Sequence, residues 1–277
     1  LRDRLPWPPL AVHFANGRDT PWQPLPPSGG LIEIPVTVNG TPLRAVVDSG
    51  AQFSAIDTAL ARQLGLRRPM TAPILAYGVS GGPVLTHTVR VNLAAPGLSA
   101  PNLRAAVLDL APISAVTGRD FQMLIGRDVL GQLVVEADFP QARARFLAPG
   151  VYAPPRDAVT APLRQSGGAP VIAIQVEAAE PVEVLVDTGS SSLLALSEAA
   201  ARQAGLLAAG RPAQSAHSVS LGGLRLNRVV VARSVGIASV RIDNVAVQIY
   251  QPAPNAPAPS GLLGGGLFRR FRMALDL

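Results

Sequence analysis

Apolar and polar positions alternate through residues 31–38 (LIEIPVTV), which reads as a strand, and 41–48 (TPLRAVVD) reads as a second, with Asn39-Gly40 as the hairpin turn between them. The second of these strands ends in an aspartate that runs straight into Ser49 and Gly50. The pattern then changes period. Ile56, Leu60 and Leu64 lie about one helical turn apart, with Asp57 placed to cap and Gly65 placed to stop a short helix. Alternation returns in THTVRVNL (86–93), LRAAVLDL (103–110) and QLVVEADF (132–139), and later in NRVVVARSV (227–235) and VRIDNVAVQIY (240–250). Many short strands with little helix predict a mostly β, largely antiparallel architecture.

The pattern occurs twice. SGG at 28–30 recurs at 166–168, VVDSG (46–50) matches LVDTG (185–189), and ARQLGL (61–66) matches ARQAGL (201–206). YGVSGG (77–82) is echoed by HSVSLGG (217–223), LIGRDVL (124–130) by LLGGGLF (262–268), and VEADF (135–139) by MALDL (273–277). The markers keep one order, at offsets of 138 to 140 residues apart from small slips around 217–223. The chain therefore reads as a duplication of one unit of about 110–120 residues. The expected division is an irregular arm over 1–27 anchored by Trp7 and Trp22, a first lobe over 28–148, a proline-rich linker over 149–165 and a second lobe over 166–277. The run QPAPNAPAPS (251–260) reads as an exposed loop within the second lobe.

Composition narrows the chemistry. The 277 residues hold no cysteine, which removes disulfides, thiol catalysis and cysteine-based zinc sites. The net charge of +6 comes from arginine alone. The arginines are scattered, with FRRFR (268–272) the densest group, so no nucleic-acid partner is expected. No apolar run is long enough to span a bilayer. The chain opens at Leu1 without an initiator Met, which suggests truncation or processing. A membrane anchor would come only from a segment before it, and a bacterial periplasmic or envelope location is expected, with the cytoplasm as the alternative. His13, His87 and His217 are dispersed and read as surface or turn residues; no metal and no cofactor are expected.

One Asp-Ser/Thr-Gly is an ordinary turn after a strand. Two, at matching places in a repeat and each after three apolar residues, place a carboxylate at a buried strand end in each unit. Related by a local two-fold axis, Asp48 and Asp187 would face each other. Adjacent carboxylates cannot both ionise, so they share a proton. The well-known example of such a pair is the aspartic-protease dyad.

These residues resemble the retropepsin/pepsin clan of aspartic proteases. VVDSGAQFSAI is similar to the retroviral form of the motif and LVDTGSSSLLAL to the pepsin form; LIG (124–126) and LLG (262–264) match its hydrophobic-hydrophobic-glycine motif. The resemblance implies two retropepsin-like β-barrel lobes in one chain, with a cleft between them. It also implies Asp48 and Asp187 as the catalytic pair, Ser49 and Thr188 as a hydroxyl interlock, and Gly50 and Gly189 as completing the loops. Segments 77–82 and 217–223 would be flaps, with Tyr77, Gly78, Ser80, Gly81, Ser220 and Gly222 as the flap residues. The implied activity is peptide-bond hydrolysis by water on a peptide or protein substrate, by a monomer. The alternative is a weak pseudoprotease that binds peptides in the cleft, and residues 1–27 could lie near that cleft as a regulatory arm. Ala51 and Ser190 differ between the copies, so the two carboxyls are expected to have unequal pKa values, in a direction that sequence leaves open. Asp128 has Gly266 as its repeat equivalent, whereas Asp138 has Asp276, and that pair reads as structural.

Overall fold

The computed structural model describes residues 10–27, 30–67, 73–78, 82–252 and 259–277. Both predicted hairpin strands form, as Glu33–Val38 and Thr41–Val47, with Asn39 and Gly40 at φ 49° and 83° in the turn between them. Positive φ at both central residues matches the right-handed twist of the flanking strands, which is why Asn-Gly suits this place.

In the first unit the strands close on themselves. Leu98–Leu108 pairs with Ala55–Asp57, and the order continues through Met123–Ile125, Thr41–Val47, Glu33–Val38 and Thr88–Ala95, which pairs back to Leu98–Leu108. The second unit repeats the ring. Ala169–Val176 pairs with Val182–Asp187, followed by Gly261–Gly264, Leu194–Ser197, Val240–Tyr250 and Gly223–Ile237, which returns to Ala169–Val176. The protein is mostly β, in two repeated β-barrel units. Closure leaves few free strand edges and gives each ring an apolar interior that includes Ile34, Leu103, Met123 and Ile125 in one unit and Ile174, Leu194 and Leu196 in the other, all close to fully buried.

The helices follow their sequence signals. Asp57 accepts from the N–H groups of Ala59 (2.8 Å) and Leu60 (3.2 Å) at the start of Thr58–Gln63. Ser197 accepts from Ala200 N–H (3.2 Å) at the start of Glu198–Gln203. Gly65 and Gly205, at φ 62° and 68°, stop the two helices in the left-handed conformation. A third helix, Ala111–Thr117, has no counterpart in the sequence reading, since it carries no fully buried stripe to announce it.

A four-stranded sheet joins the units: Gln23–Pro24, Arg143–Leu147, Val134–Asp138 and Arg272–Asp276. Its central register is informative. Val134 pairs with Asp276, Glu136 with Ala274 and Asp138 with Arg272. VEADF and MALDL are repeat equivalents at an offset of 138, so Glu136 pairs with its own equivalent, Ala274. The local two-fold axis passes through that pair. Glu136 is fully buried there, accepting from Arg145 Nε (2.7 Å) of its own unit and Arg272 Nε (2.8 Å) from the other end of the chain. The Trp22 ring lies under Arg143 and Arg145, at 4.3 and 4.6 Å to its centroid.

In the arm over 1–27, expected to be irregular, the described residues 10–27 contribute two short strands: His13–Phe14 pairs with the first ring and Gln23–Pro24 with the joining sheet. Alternation cannot announce a two-residue strand. Trp22 packs against the body, while Trp7 lies outside the described residues. The end of the expected linker, Arg164–Ser166, is a strand of the second sheet, and residues 153–160 before it are exposed. Within FRRFR, Phe268 ends the helix Gly265–Phe268, residues 269–271 form an exposed turn and Arg272 enters the joining sheet.

Candidate active site

Each aspartate sits where its strand leaves the ring. Ala45, Val46 and Val47 are buried at 1% exposure or less, and parallel pairing with Met123–Ile125 fixes their register. Asp48 N–H then donates to the Ile125 carbonyl at 2.9 Å. In the second unit Leu185, Val186 and Asp187 lie beside Leu262, Leu263 and Gly264 in the same parallel arrangement. The hydrophobic-hydrophobic-glycine segments therefore lie directly behind the aspartate loops. Their glycines allow this contact: a Cβ on Gly126 would fall 2.5 Å from the Phe53 carbonyl carbon, and one on Gly264 would fall 2.2 Å from the Ser192 oxygen.

The two loops interlock by four hydrogen bonds related by the two-fold axis. Ser49 N–H donates to Thr188 Oγ1 (3.0 Å), and Thr188 N–H donates to Ser49 Oγ (3.0 Å). The hydroxyls pass the interaction on, Ser49 Oγ to the Val186 carbonyl (2.6 Å) and Thr188 Oγ1 to the Val47 carbonyl (2.7 Å). Both hydroxyl residues are at most 1% exposed. Donor and acceptor are used on each hydroxyl, so the bonds form away from water with all four partners satisfied.

Interlocked loops bring the carboxyls together. A Cβ on Gly50 would lie 2.7 Å from Asp187 Cγ, and one on Gly189 would lie 2.3 Å from Asp48 Cγ. Any side chain at either glycine would displace the opposite carboxyl. Ala51 N–H donates to Asp48 Oδ1 and Gly189 N–H to Asp187 Oδ1, both at 3.0 Å. Burial raises both carboxyls above the ordinary aspartate range. Asp187 goes well above it, because the charge of Asp48 adds to its own desolvation. At Asp48 the backbone N–H groups of Ala51 and Gly50, the bond with Asp187 and the Arg127 guanidinium act against that burial. The Ser190 hydroxyl pairs with Ser192 Oγ at 2.8 Å.

Arg127 and Asp128 were not assigned to the site by sequence. Arg127 Nη1 donates to the carbonyls of Ser49 (2.9 Å) and Gly50 (2.7 Å). Asp128 accepts from Ser54 Oγ (2.7 Å) and Ser54 N–H (3.0 Å), and Ser54 Oγ in turn accepts from Gly126 N–H (3.1 Å). The one signal available was the break in the repeat, Arg-Asp against Gly-Gly at 265–266.

Both glycine-containing segments adjoin hairpins, the first through its described residues Tyr77, Gly78 and Gly82. Ile74–Ala76 pairs with Val84–Thr86, and Ala213–Ser220 pairs with the start of Gly223–Ile237. The segments meet at Gly78: a Cβ there would lie 3.2 Å from Ser220 Oγ and from the amide nitrogens of Leu221 and Gly222. Tyr77 is exposed beside Gly78, while Ser80 and Gly81 lie outside the described residues. Leu221, also missed by sequence, packs on an apolar cluster of the first unit that contains Val46, Leu108 and Leu124, together with Ile74, Ala76 and Val84 of the first hairpin. A smaller cluster of Leu185, Ala195, Tyr250 and Leu262 occupies the equivalent place in the second unit.

No curated protein matches the chain. Among solved structures it resembles a retropepsin-like aspartic protease from Rickettsia conorii, at 16% identity and a TM-score of 0.33 over 50% of this chain and 95% of that one. A family model described as aspartyl protease matches twice, at residues 34–129 and 172–267. Each match runs from the first ring strand through the aspartate loop to the short helix behind it, one match per unit, and the chain belongs to the aspartyl protease family.

Proposed function

We propose that this protein is an aspartic endopeptidase in which Asp48 and Asp187 together activate water for attack on a peptide carbonyl. The observation that carries the reading is the opposed pair of aspartate loops, each glycine packed against the other unit's carboxyl. Two carboxyls in such contact favour a state with one proton between them. The ionised member takes a proton from a water placed between the two. The protonated member donates to the carbonyl oxygen as charge develops there, and the same pair then returns a proton to the leaving nitrogen. Both aspartates come from one chain, so a monomer suffices. Apolar clusters beside both aspartates, with Leu221 reaching over one of them, favour a peptide segment with apolar side chains around the cleaved bond. The hairpins that meet at Gly78 and Leu221 act as flaps that part to admit it.

The test is cleavage of a degenerate peptide library across pH 3–8 by the wild type, Asp48→Asn and Asp187→Asn, with products identified by mass spectrometry. The expected result is a bell-shaped pH profile and a loss of at least about a thousandfold in either variant. Absence of cleavage by the wild type over this range refutes the endopeptidase reading. Retention of activity by either Asn variant refutes the shared dyad.

A further inference from the structure

The two-fold relation that organises the site fails at one place beneath the carboxyls. In the first unit Arg127 N–H donates to the Ala51 carbonyl (2.9 Å), and its guanidinium donates to the carbonyls of Ser49 and Gly50. In the second unit Gly265 N–H makes the equivalent bond to the Ser190 carbonyl (2.7 Å), with no side chain beyond it. The second unit could not hold one. A Cβ on Gly265 would lie 2.2 Å from the Gly30 carbonyl oxygen, so backbone fills that space. One half of the dyad therefore rests on a loop carrying a fixed cation, and the other half rests on packed glycine backbone.

We propose that Arg127 is a positioning residue that makes Asp48, rather than Asp187, the carboxylate that draws the proton from the attacking water. This rests on the dyad reading of the proposed function. The guanidinium holds the Ser49-Gly50 peptide in place and adds positive potential on the Asp48 side, which favours the anion there. Asp187, buried at 8% exposure and facing Asp48, is the member that keeps the proton. The charged groups acting on Arg127 are Asp48, Asp187 and Asp128. Asp128 is occupied by Ser54 and the Val129 N–H (3.0 Å), and substitution of Arg127 leaves those bonds in place. The proton moves from water oxygen to Asp48, while the Asp187 proton hydrogen-bonds to the substrate carbonyl; no other co-reactant is needed.

The experiment compares wild type, Arg127→Gln and Arg127→Lys by two readouts. The first is carbon-13 NMR titration of the aspartate carboxyls, with the signals assigned through Asp48→Asn and Asp187→Asn. It reads protonation whether or not a peptide is cleaved, so it separates this proposal from the proposed function. In the wild type the first carboxyl to ionise is Asp48. In Arg127→Gln both midpoints of the pair move to higher pH by about one unit, and the site difference narrows. The second readout, for an active enzyme, is the pH profile of kcat/KM. Both limbs move upward by a similar amount in Arg127→Gln and return towards wild type in Arg127→Lys, which restores the charge without the two-carbonyl grip. Lower activity at every pH with unmoved limbs and unmoved NMR midpoints assigns Arg127 a purely structural role and overturns the proposal. So does first ionisation at Asp187 in the wild type.

Discussion

Replacing Thr188 by Val tests whether the two units are held by the interlock or merely lie beside it. Valine keeps the shape of threonine, so little cavity forms. The change removes one acceptor and one donor, leaving Ser49 N–H and the Val47 carbonyl buried without their partner. Each unsatisfied buried group costs about 1–3 kcal/mol, so the expected destabilisation from the two is about 2–6 kcal/mol. Thr188→Ser is the control. It keeps the hydroxyl and loses one methyl group, an effect of about 1 kcal/mol. The assay is urea unfolding at pH 6, followed in parallel by far-ultraviolet circular dichroism and by tryptophan fluorescence, to which Trp22 in the joining sheet contributes. Coincident transitions with unchanged slope would license the free-energy comparison. If Thr188→Val lies within about 0.5 kcal/mol of wild type, or if Thr188→Ser costs as much, the hydroxyl bonds are not what joins the loops and the reasoning fails.

Two further effects follow from buried charge. Asp187 has a raised pKa in the folded state, so the native protein holds its proton more tightly than the unfolded chain. Stability from that proton is fully present below about pH 3.8, the unfolded value, and is lost as pH rises through the folded one. Asp187→Asn removes this dependence. It should therefore be more stable than wild type at pH 7, by about 1.4 kcal/mol for each unit of upward shift, with the gap closing towards pH 3; equal urea midpoints at pH 7 would contradict the assignment. Glu136→Ala should cost about 3 kcal/mol in the same assay, because it leaves Arg145 without its fully buried partner. The value falls at the lower end of the usual range because the side chain of Arg272, the other partner, is already 45% exposed and can turn to water.

The duplication, the β class and both aspartates were legible in one dimension because each depends on local pattern. Apolar triplets before Asp48 and Asp187 are strands buried on both faces. Asn39-Gly40 is a turn because both residues tolerate positive φ, and Asp57 and Ser197 cap because their oxygens reach N–H groups two or three residues on. The hydrophobic-hydrophobic-glycine segments could be paired with their loops by repeat spacing alone. What spacing could not supply is any interaction whose partners are set by the meeting of the two units. The joining sheet assembles short strands from both ends and the middle of the chain, and no periodicity marks Gln23–Pro24 as one of them. Leu221 looks like a turn residue until the opposite unit's apolar cluster is placed beneath it. Arg127 looks like a solvated charge next to a glycine until the fold turns it under the Ser49 and Gly50 carbonyls. Local pattern is enough to establish two equivalent carboxylates at the ends of buried strands. Their different surroundings belong to the folded molecule, because electrostatic potential at a buried group depends on distance and desolvation through space, and one unit places a cation where the other leaves room only for backbone.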